Sequence, residues 1–257
     1  MRQKTEKAGQ RRYREKTMKL AVLSDIHGNA EALNRCLEYI DAECSVDEIT
    51  VLGDIVGYGA DPGICIQQVK KRAAFSVLGN HDAGVIGKTD IRYFNYSAQA
   101  AILWTQARIQ EDERKYLNEL PYSVIQYGIR FVHSSPNNPE YWKYIISWYD
   151  TADEFSHFPE KVCFIGHSHI PGIYTAEEFL PVMRGEFKLE PDTQYIINPG
   201  SVGQPRDGDP RLSFGIFDTE TTAITIIRQE YDVETARQKI IDNNLPAVLG
   251  DRLLYGQ

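Results

Sequence analysis

Seven side chains in this sequence have the types and spacings of a metal site: Asp25, His27, Asp54, Asn80, His133, His167 and His169. Imidazole, carboxylate and carboxamide donors without a thiolate suit Mn, Fe, Co, Ni or Zn, and the missing cysteine argues against a closed structural zinc site. A lone histidine at a strand end is more often a hydrogen-bonded, half-buried residue than a ligand. Here five of the six histidines fall at such ends. Gathering them with carboxylates in one cleft is costly unless a cation offsets the desolvation. Seven donors exceed the needs of one ion, and the count predicts two ions, about 3.5–4 Å apart, sharing a carboxylate.

These residues can meet only if the fold carries them to one edge, and the hydropathy pattern supplies such a frame. Apolar, β-rich runs at 19–27, 48–59, 74–82, 129–136 and 161–172 alternate with helical patterns at 30–44, 62–72 and 96–119, the last broken near Ile109. TADEFSHF reads as a short helix. The runs YIINPGS, RLSFGIFD and TAITIIRQ, close in sequence, predict antiparallel strands, and a last helix starts near Val233. The class is α/β, in a single domain over residues 18–257. Asp25 and His27 close the first strand, Asp54 the second, Asn80, His81 and Asp82 the third, His133 the fourth, and His167 with His169 the fifth. In open α/β sheets, ligands bind at the carboxyl ends of strands. On a strand, D-x-H and H-x-H place both side chains on one face. Gly28, Gly53, Gly79 and Gly166 beside them allow tight turns and close backbone approach to an anion.

The chain has 257 residues, of which 42% are hydrophobic and 25% charged, enough to bury a core without a structural metal or disulfide. Seven of the 28 basic and two of the 36 acidic side chains fall in residues 1–17, leaving the body at a net −13. The basic segment reads as a solvated tail. An acidic body repels nucleic-acid backbones and requires a local positive focus for a phosphate-bearing substrate. No run of about 18 apolar residues is present, which argues against a membrane partner. Cys36, Cys44, Cys65 and Cys163 have no C-x-x-C spacing and read as reduced thiols in a cytosol. A homo-oligomer is allowed.

In chain order, Asp25-Ile-His27, Gly53-Asp54-Ile-Val-Gly57, Gly79-Asn80-His81-Asp82, His133 and Gly166-His167-Ser-His169 resemble the five motifs of the calcineurin-like metallophosphoesterases. The likeness covers residues 18–220, and the flanks DIHGN, GDIVGYGADP, HSSP and NPGSVGQPRDGDPRLSFGIFD are similar to a compact prokaryotic branch of phosphodiesterases and diadenosine polyphosphate hydrolases. The resemblance implies a four-layer αββα sandwich of two mixed β-sheets flanked by helices. It implies one divalent ion on Asp25, His27 and His169, a second on Asn80, His133 and His167, and Asp54 bridging, with manganese the favoured metal. Two such cations make hydroxide available near neutral pH and draw charge from the phosphoryl oxygens. For His81 the resemblance implies protonation of the leaving oxygen or stabilisation of phosphoryl charge. Asp82 either orients His81 or caps the next segment.

Departures narrow the substrate. Where protein Ser/Thr phosphatases of that family carry Asp-Arg-Gly and an arginine before Gly-Asn-His, this chain has Gly57-Tyr58-Gly59 and Leu78. Without those guanidinium contacts a phosphomonoester dianion is poorly held, which favours a diester or a nucleotide phosphoanhydride. Arg206 is a candidate anion grip. Tyr141 and Trp142, with Tyr144, Trp148 and Tyr149, are a candidate stacking wall for a nucleobase, or else core or a subunit contact. Asn198 and Gly200 are expected to shape a turn under the site, and His157 to be structural. The expected protein is a cytoplasmic, metal-dependent phosphoesterase acting on a small diester or nucleotide. A phosphomonoesterase or protein phosphatase, a nuclease and a non-catalytic scaffold on the same fold are the alternatives.

Overall fold

The computed structural model describes residues 17–182 and 184–257; Thr17 aside, the basic segment 1–17 lies outside the described residues. Chain order is β1 (Lys19–Leu23), α1 (Ala30–Glu43), β2 (Glu48–Val51), α2 (Pro62–Arg72), β3 (Ala73–Ser76), α3 (Asn80–Ile86), α4 (Tyr96–Gln106), α5 (Glu111–Glu119), β4 (Ser123–Gln126), β5 (Ile129–Val132), β6 (Val162–Phe164), β7 (Gly172–Tyr174), β8 (Phe179–Leu180), β9 (Gly185–Lys188), β10 (Tyr195–Asn198), β11 (Leu212–Asp218), β12 (Ala223–Gln229), α6 (Val233–Asp242) and α7 (Ala247–Asp251). Pro62 opens α2, where its missing N–H costs nothing, and the Asn29 side chain caps α1 by accepting from Ala32 N–H.

Two six-stranded mixed sheets result, ordered β3-β2-β1-β11-β12-β9 and β4-β5-β6-β10-β7-β8. Side-chain alternation sorts the strands into layers. Leu20 and Val22 of β1 meet Phe131, Phe164 and Ile197 of the opposite sheet, forming the apolar layer between the sheets. Ala21 and Leu23, on the other face of β1, pack under α1 and α2 with Leu33, Leu37 and Ile66. The outer face of the second sheet, through Val132, Cys163 and Ile196, is covered by Ile145 and Phe158 from the segment of short 3-10 turns. That segment is where TADEFSHF was expected to be helical, and His157 is exposed at its end.

Two expectations are corrected. The strand YIINPGS does not pair with its sequence neighbours. As β10 it joins the second sheet, parallel to β6 and antiparallel to β7, while only β11 and β12 form the expected hairpin in the first. The strands also end earlier than the hydropathy suggested: β1 stops at Leu23, β2 at Val51 and β3 at Ser76, so Asp25, His27 and Asp54 stand in loops and Asn80 opens α3. The alternation rule therefore does not account for D-x-H. What places these residues is the parallel pairing of β2 with β1 and β3, and of β6 with β5 and β10, which sends six loops to one edge of the sandwich.

Candidate metal centre

The six loops are laced to one another by backbone hydrogen bonds. His27 N–H donates to the Asp54 carbonyl at 2.8 Å, Gly166 N–H to that of His133 at 2.8 Å, and Gly203 N–H to that of Asp25 at 2.9 Å. Asn198, fully buried at the end of β10, donates to the Gly166 carbonyl and Ser168 Oγ and accepts from Gly200 N–H, the turn expected beneath the site. Five of the seven candidate ligands, Asp25, His27, Asp54, His167 and His169, have φ between 50° and 66°. Non-glycine residues seldom adopt that left-handed region, and each such residue costs roughly 1–3 kcal/mol and persists only where its surroundings enforce it. In these loops the left-handed residues carry buried side chains.

Close approach of the loops leaves no room for a side chain at two glycines. A Cβ on Gly79 would lie 2.2 Å from the Asp54 amide nitrogen and from its Oδ1, and one on Gly166 would lie 1.9 Å from Ser24 Oγ. Gly79→Ala is expected to cost on the order of 2–3 kcal/mol in denaturant melts, in the range of overpacking, and to displace Asp54 so that metal uptake falls.

All seven side chains are at most 7% exposed, and they form two sets sharing Asp54. In the first, Nε2 of His27 lies 3.0 Å from Nε2 of His169 and 3.5 Å from Asp54 Oδ2, and His169 Nε2 lies 3.3 Å from Asp25 Oδ1. In the second, Nε2 of His133 lies 3.1 Å from Asn80 Oδ1, 3.2 Å from His167 Nδ1 and 3.3 Å from Asp54 Oδ2. Donors about 2.1 Å from a common ion stand about 3.0 Å apart at adjacent octahedral corners and about 3.4 Å apart at tetrahedral ones.

The other ring nitrogen of each histidine faces a backbone carbonyl: His27 Nδ1 the Val56 oxygen at 3.2 Å, His133 Nδ1 that of Leu52 at 2.7 Å, His169 Nδ1 that of Gln204 at 2.5 Å, and His167 Nε2 that of Trp142 at 3.0 Å. A carbonyl only accepts, so those nitrogens carry the protons and the lone pairs face inward. Backbone carbonyls orient metal-bound histidines in this way. Four lone pairs and two carboxylates converging out of water require a cation, and the donor set fits divalent metal.

Burial and neighbouring charge set the protonation of these side chains in the same sense. They lower His27, His167 and His169 well below the usual imidazole value, keeping them neutral. Burial also opposes charge on Asp54, but His133, His81 and His27 hold its carboxyl well below the carboxylate range. His133, against its burial, is raised to about 9 by Asp54 and Asp25. Its two carboxylate neighbours thus favour a positive charge at this position. Because the metal-free site keeps a proton on His133 below about pH 9 and ligation requires its loss, apparent metal affinity should climb with pH and level off near 9. Calorimetry in buffers of different ionisation enthalpy should find about one proton released per chain on loading at pH 7.5.

Around the ligands the structure divides the remaining candidates. His81 is buried, its ring packed 4.3 Å from that of Tyr58, 4.8 Å from that of His27 and 5.2 Å from that of Phe94. Its backbone N–H donates to Asp54 Oδ1 at 2.8 Å, its Nδ1 has no hydrogen-bond partner among the described residues, and burial lowers its pKa to about 4. Asp82 does not orient it. The Asp82 carboxylate accepts from Val56 N–H at 3.1 Å and Gly79 N–H at 3.2 Å, joining the second and third loops, and it sits within α3 rather than at its N-cap, which is Gly79.

Asn80, His81 and His167 line a cleft of about 350 Å³, enclosed by Tyr93, Phe94 and Asn95 on one segment and Tyr141, Trp142 and Tyr144 on another. Tyr144 stacks on His167 at 3.8 Å, and the backbone of Trp142 is left-handed, with its carbonyl turned to that ring. Trp148 and Tyr149 stand outside the cleft, Trp148 bonded to the Ala176 carbonyl and Tyr149 in solvent. Arg206 is half-buried and reaches Gln204 Oε1 at 2.8 Å and the Tyr58 hydroxyl at 3.4 Å. Tyr58 went unassigned in the sequence. Its left-handed φ of 56° packs the ring 4.6 Å from that of His27, and the only sign was its place between Gly57 and Gly59.

Comparison with known proteins agrees with the geometry. Residues 18–222 match the family model described as the calcineurin-like phosphoesterase superfamily domain. An uncharacterized protein of Methanocaldococcus jannaschii is 43% identical over 93% of this chain and 98% of its own length. Phosphodiesterase YfcE of Escherichia coli is 25% identical, covering 83% of this chain and 94% of its own. The crystal structure of a metallophosphoesterase from Sphaerobacter thermophilus superposes with a TM-score of 0.84 at 36% identity, over 94% of this chain and all of that one. Two mixed sheets flanked by helices, a buried donor set in the order of the five motifs and a family match across most of its length place this chain in the calcineurin-like phosphoesterase superfamily, as a hydrolase of phosphoric esters.

Proposed function

We propose that this chain hydrolyses a small phosphodiester or a nucleotide phosphoanhydride with two divalent ions, one held by Asp25, His27 and His169, the other by Asn80, His133 and His167, with Asp54 common to both. The observation that carries this reading is the sharing of Asp54: it belongs to the group with Asp25, His27 and His169 and to the group with His133 and His167. The ions, when bound, supply the electrophile for phosphoryl oxygens and the charge that ionises water near neutral pH. The protein does the rest. The left-handed loops hold the donors toward one another. Arg206, with no carboxylate in ion-pair range among the described residues, offers free N–H donors to a phosphoryl oxygen. His81 adds a neutral N–H donor, since an imidazole lowered to about 4 is uncharged at neutral pH.

The aromatic cleft supports an ester with a planar group, through stacking of Tyr141 and Trp142. The phosphodiesterase activity named for the Escherichia coli relative and the lack of the two phosphatase arginines support a diester or anhydride over a phosphomonoester. Four free thiols, three of them buried, suit a cytoplasmic protein, and among the described residues no helix is long and apolar enough to cross a membrane.

The test is hydrolysis of bis-p-nitrophenyl phosphate by metal-stripped protein with manganese restored, against the same protein in chelator, with metal counted by elemental analysis. Chelator-sensitive turnover with two equivalents bound supports the reading. Binding without turnover across a panel of diesters and nucleotides means a non-catalytic scaffold.

A further inference from the structure

Arg252 lies beyond the motifs, in the 3-10 turn Arg252–Leu254 that follows α7. Two contacts bring this turn to the site. Leu253 packs in one apolar cluster with Tyr58, and Gly208 N–H donates to the Gly256 carbonyl at 3.0 Å, tying the C-terminal turn to the loop that carries Arg206. Arg206 is itself anchored at the first ligand set, its N–H donating to the His169 carbonyl at 3.4 Å.

Neither guanidinium has a carboxylate in ion-pair range among the described residues, and Arg252 Nε is buried with no hydrogen-bond partner. That is unusual economy in a chain with 36 acidic side chains, six of whose arginines, including the buried Arg228, do form ion pairs. The charge of Arg206 disfavours that of Arg252, and a buried donor without an acceptor is destabilising. Burial and the charge of Arg206 both lower the pKa of Arg252, while the hydroxyls of Tyr58 and Tyr144 lie in the field of both arginines. An anion held by the two guanidiniums relieves the repulsion between them.

We propose that Arg252 and Arg206 form an anion subsite beside the metal centre that takes a second phosphate of the substrate, which makes the substrate a phosphoanhydride with at least two phosphates rather than a simple diester. The scissile phosphoryl group lies at the metals, the organic group faces the aromatic cleft, and the adjoining phosphate meets the two guanidiniums. This inference rests on the function proposed above and narrows it.

AMP and ADP differ by one phosphate and nothing else, so they read the subsite directly. Calorimetry on the manganese-loaded protein should show ADP binding at least 10-fold tighter than AMP. Arg252→Ala should bring that ratio to within 2-fold, and Arg252→Lys should keep most of it. A parent ratio near one, a ratio untouched by Arg252→Ala, or equal losses for both nucleotides would overturn the subsite, the last pointing to a structural role. Should the parent fail to hydrolyse any ester while the ratio behaves as expected, the proposed function falls and the subsite stands.

Discussion

Asp54→Asn should bind one equivalent of metal where the parent binds two, and its turnover of a diester should drop by about 10³-fold or more. The size follows from the chemistry. Two ions stabilise the charge of the transition state by several kcal/mol, and each 1.36 kcal/mol is a factor of ten, so disabling the pair removes about three decades. Asparagine keeps the volume and leaves an oxygen able to accept from His81 N–H, now 2.8 Å from Oδ1, so the loop register survives. What disappears is the charge shared by both donor sets, 3.5 Å from His27 Nε2 and 3.3 Å from His133 Nε2. His133, raised to about 9 chiefly by Asp54 against its own burial, should then titrate lower in the metal-free variant, and the pH rise in affinity for the remaining ion should shift downward with it. Because ligands that bind only the folded state raise its stability, the gain in melting temperature on adding manganese should shrink as well. Two equivalents and turnover within 10-fold of the parent would show that Asp54 does not bridge.

Much of this site was legible in the sequence because the chemistry of metal ligation limits the residue types: five histidines, two aspartates and an asparagine at loop starts have few other uses. The candidate donors that the fold brings together were named from their types and spacing, and the two-sheet architecture followed from the resemblance. The reason given for D-x-H did not survive, since Asp25 and His27 lie beyond β1 in left-handed loops, and positive φ at non-glycine residues leaves no mark in hydropathy. The pairing of β10 was invisible for a different reason. Three runs close in sequence favour a local hairpin, but Tyr195 and Ile197 find the apolar layer between the sheets only beside β6, a long-range choice made by burial. Tyr58 and Arg252 drew no role in the sequence because neither is a ligand-type residue at a strand end: the ring of one packs against those of His27 and His81, and the other is brought near by the packing of a C-terminal turn. Asp82 illustrates the converse. A carboxylate beside a histidine invites pairing in the sequence, yet in the fold it is taken by two backbone amides, those of Val56 and Gly79.

Replacing His81 by alanine should leave both ions in place and cost about 10²–10³-fold in turnover, within the range for one positioned proton donor or transition-state hydrogen bond. The metals are expected to stay because the contact with Asp54 is made by the backbone N–H of residue 81, which alanine retains, and because no ring atom of His81 belongs to either donor set. The structure separates the two roles open to this histidine. Burial lowers it to about 4, so at pH 7 only roughly one ring in a thousand carries a second proton. Its Nδ1 is unpartnered and faces Gly57, where a Cβ would come within 2.5 Å, leaving Nε2 as the nitrogen that reaches the cleft. A neutral Nε2–H can stabilise charge on a phosphoryl oxygen but is a poor acid for the leaving group. The loss in His81→Ala should therefore be nearly the same for p-nitrophenyl and alkyl esters, and turnover in the parent should show no loss with rising pH between 5 and 8 from this group, because a histidine lowered to about 4 is already neutral throughout that window. A deficit that grows by a decade or more from the good to the poor leaving group would instead make His81 the general acid, with its pKa lifted by the bound substrate. Depletion of metal in the variant would mean that the ring, rather than the backbone, positions Asp54.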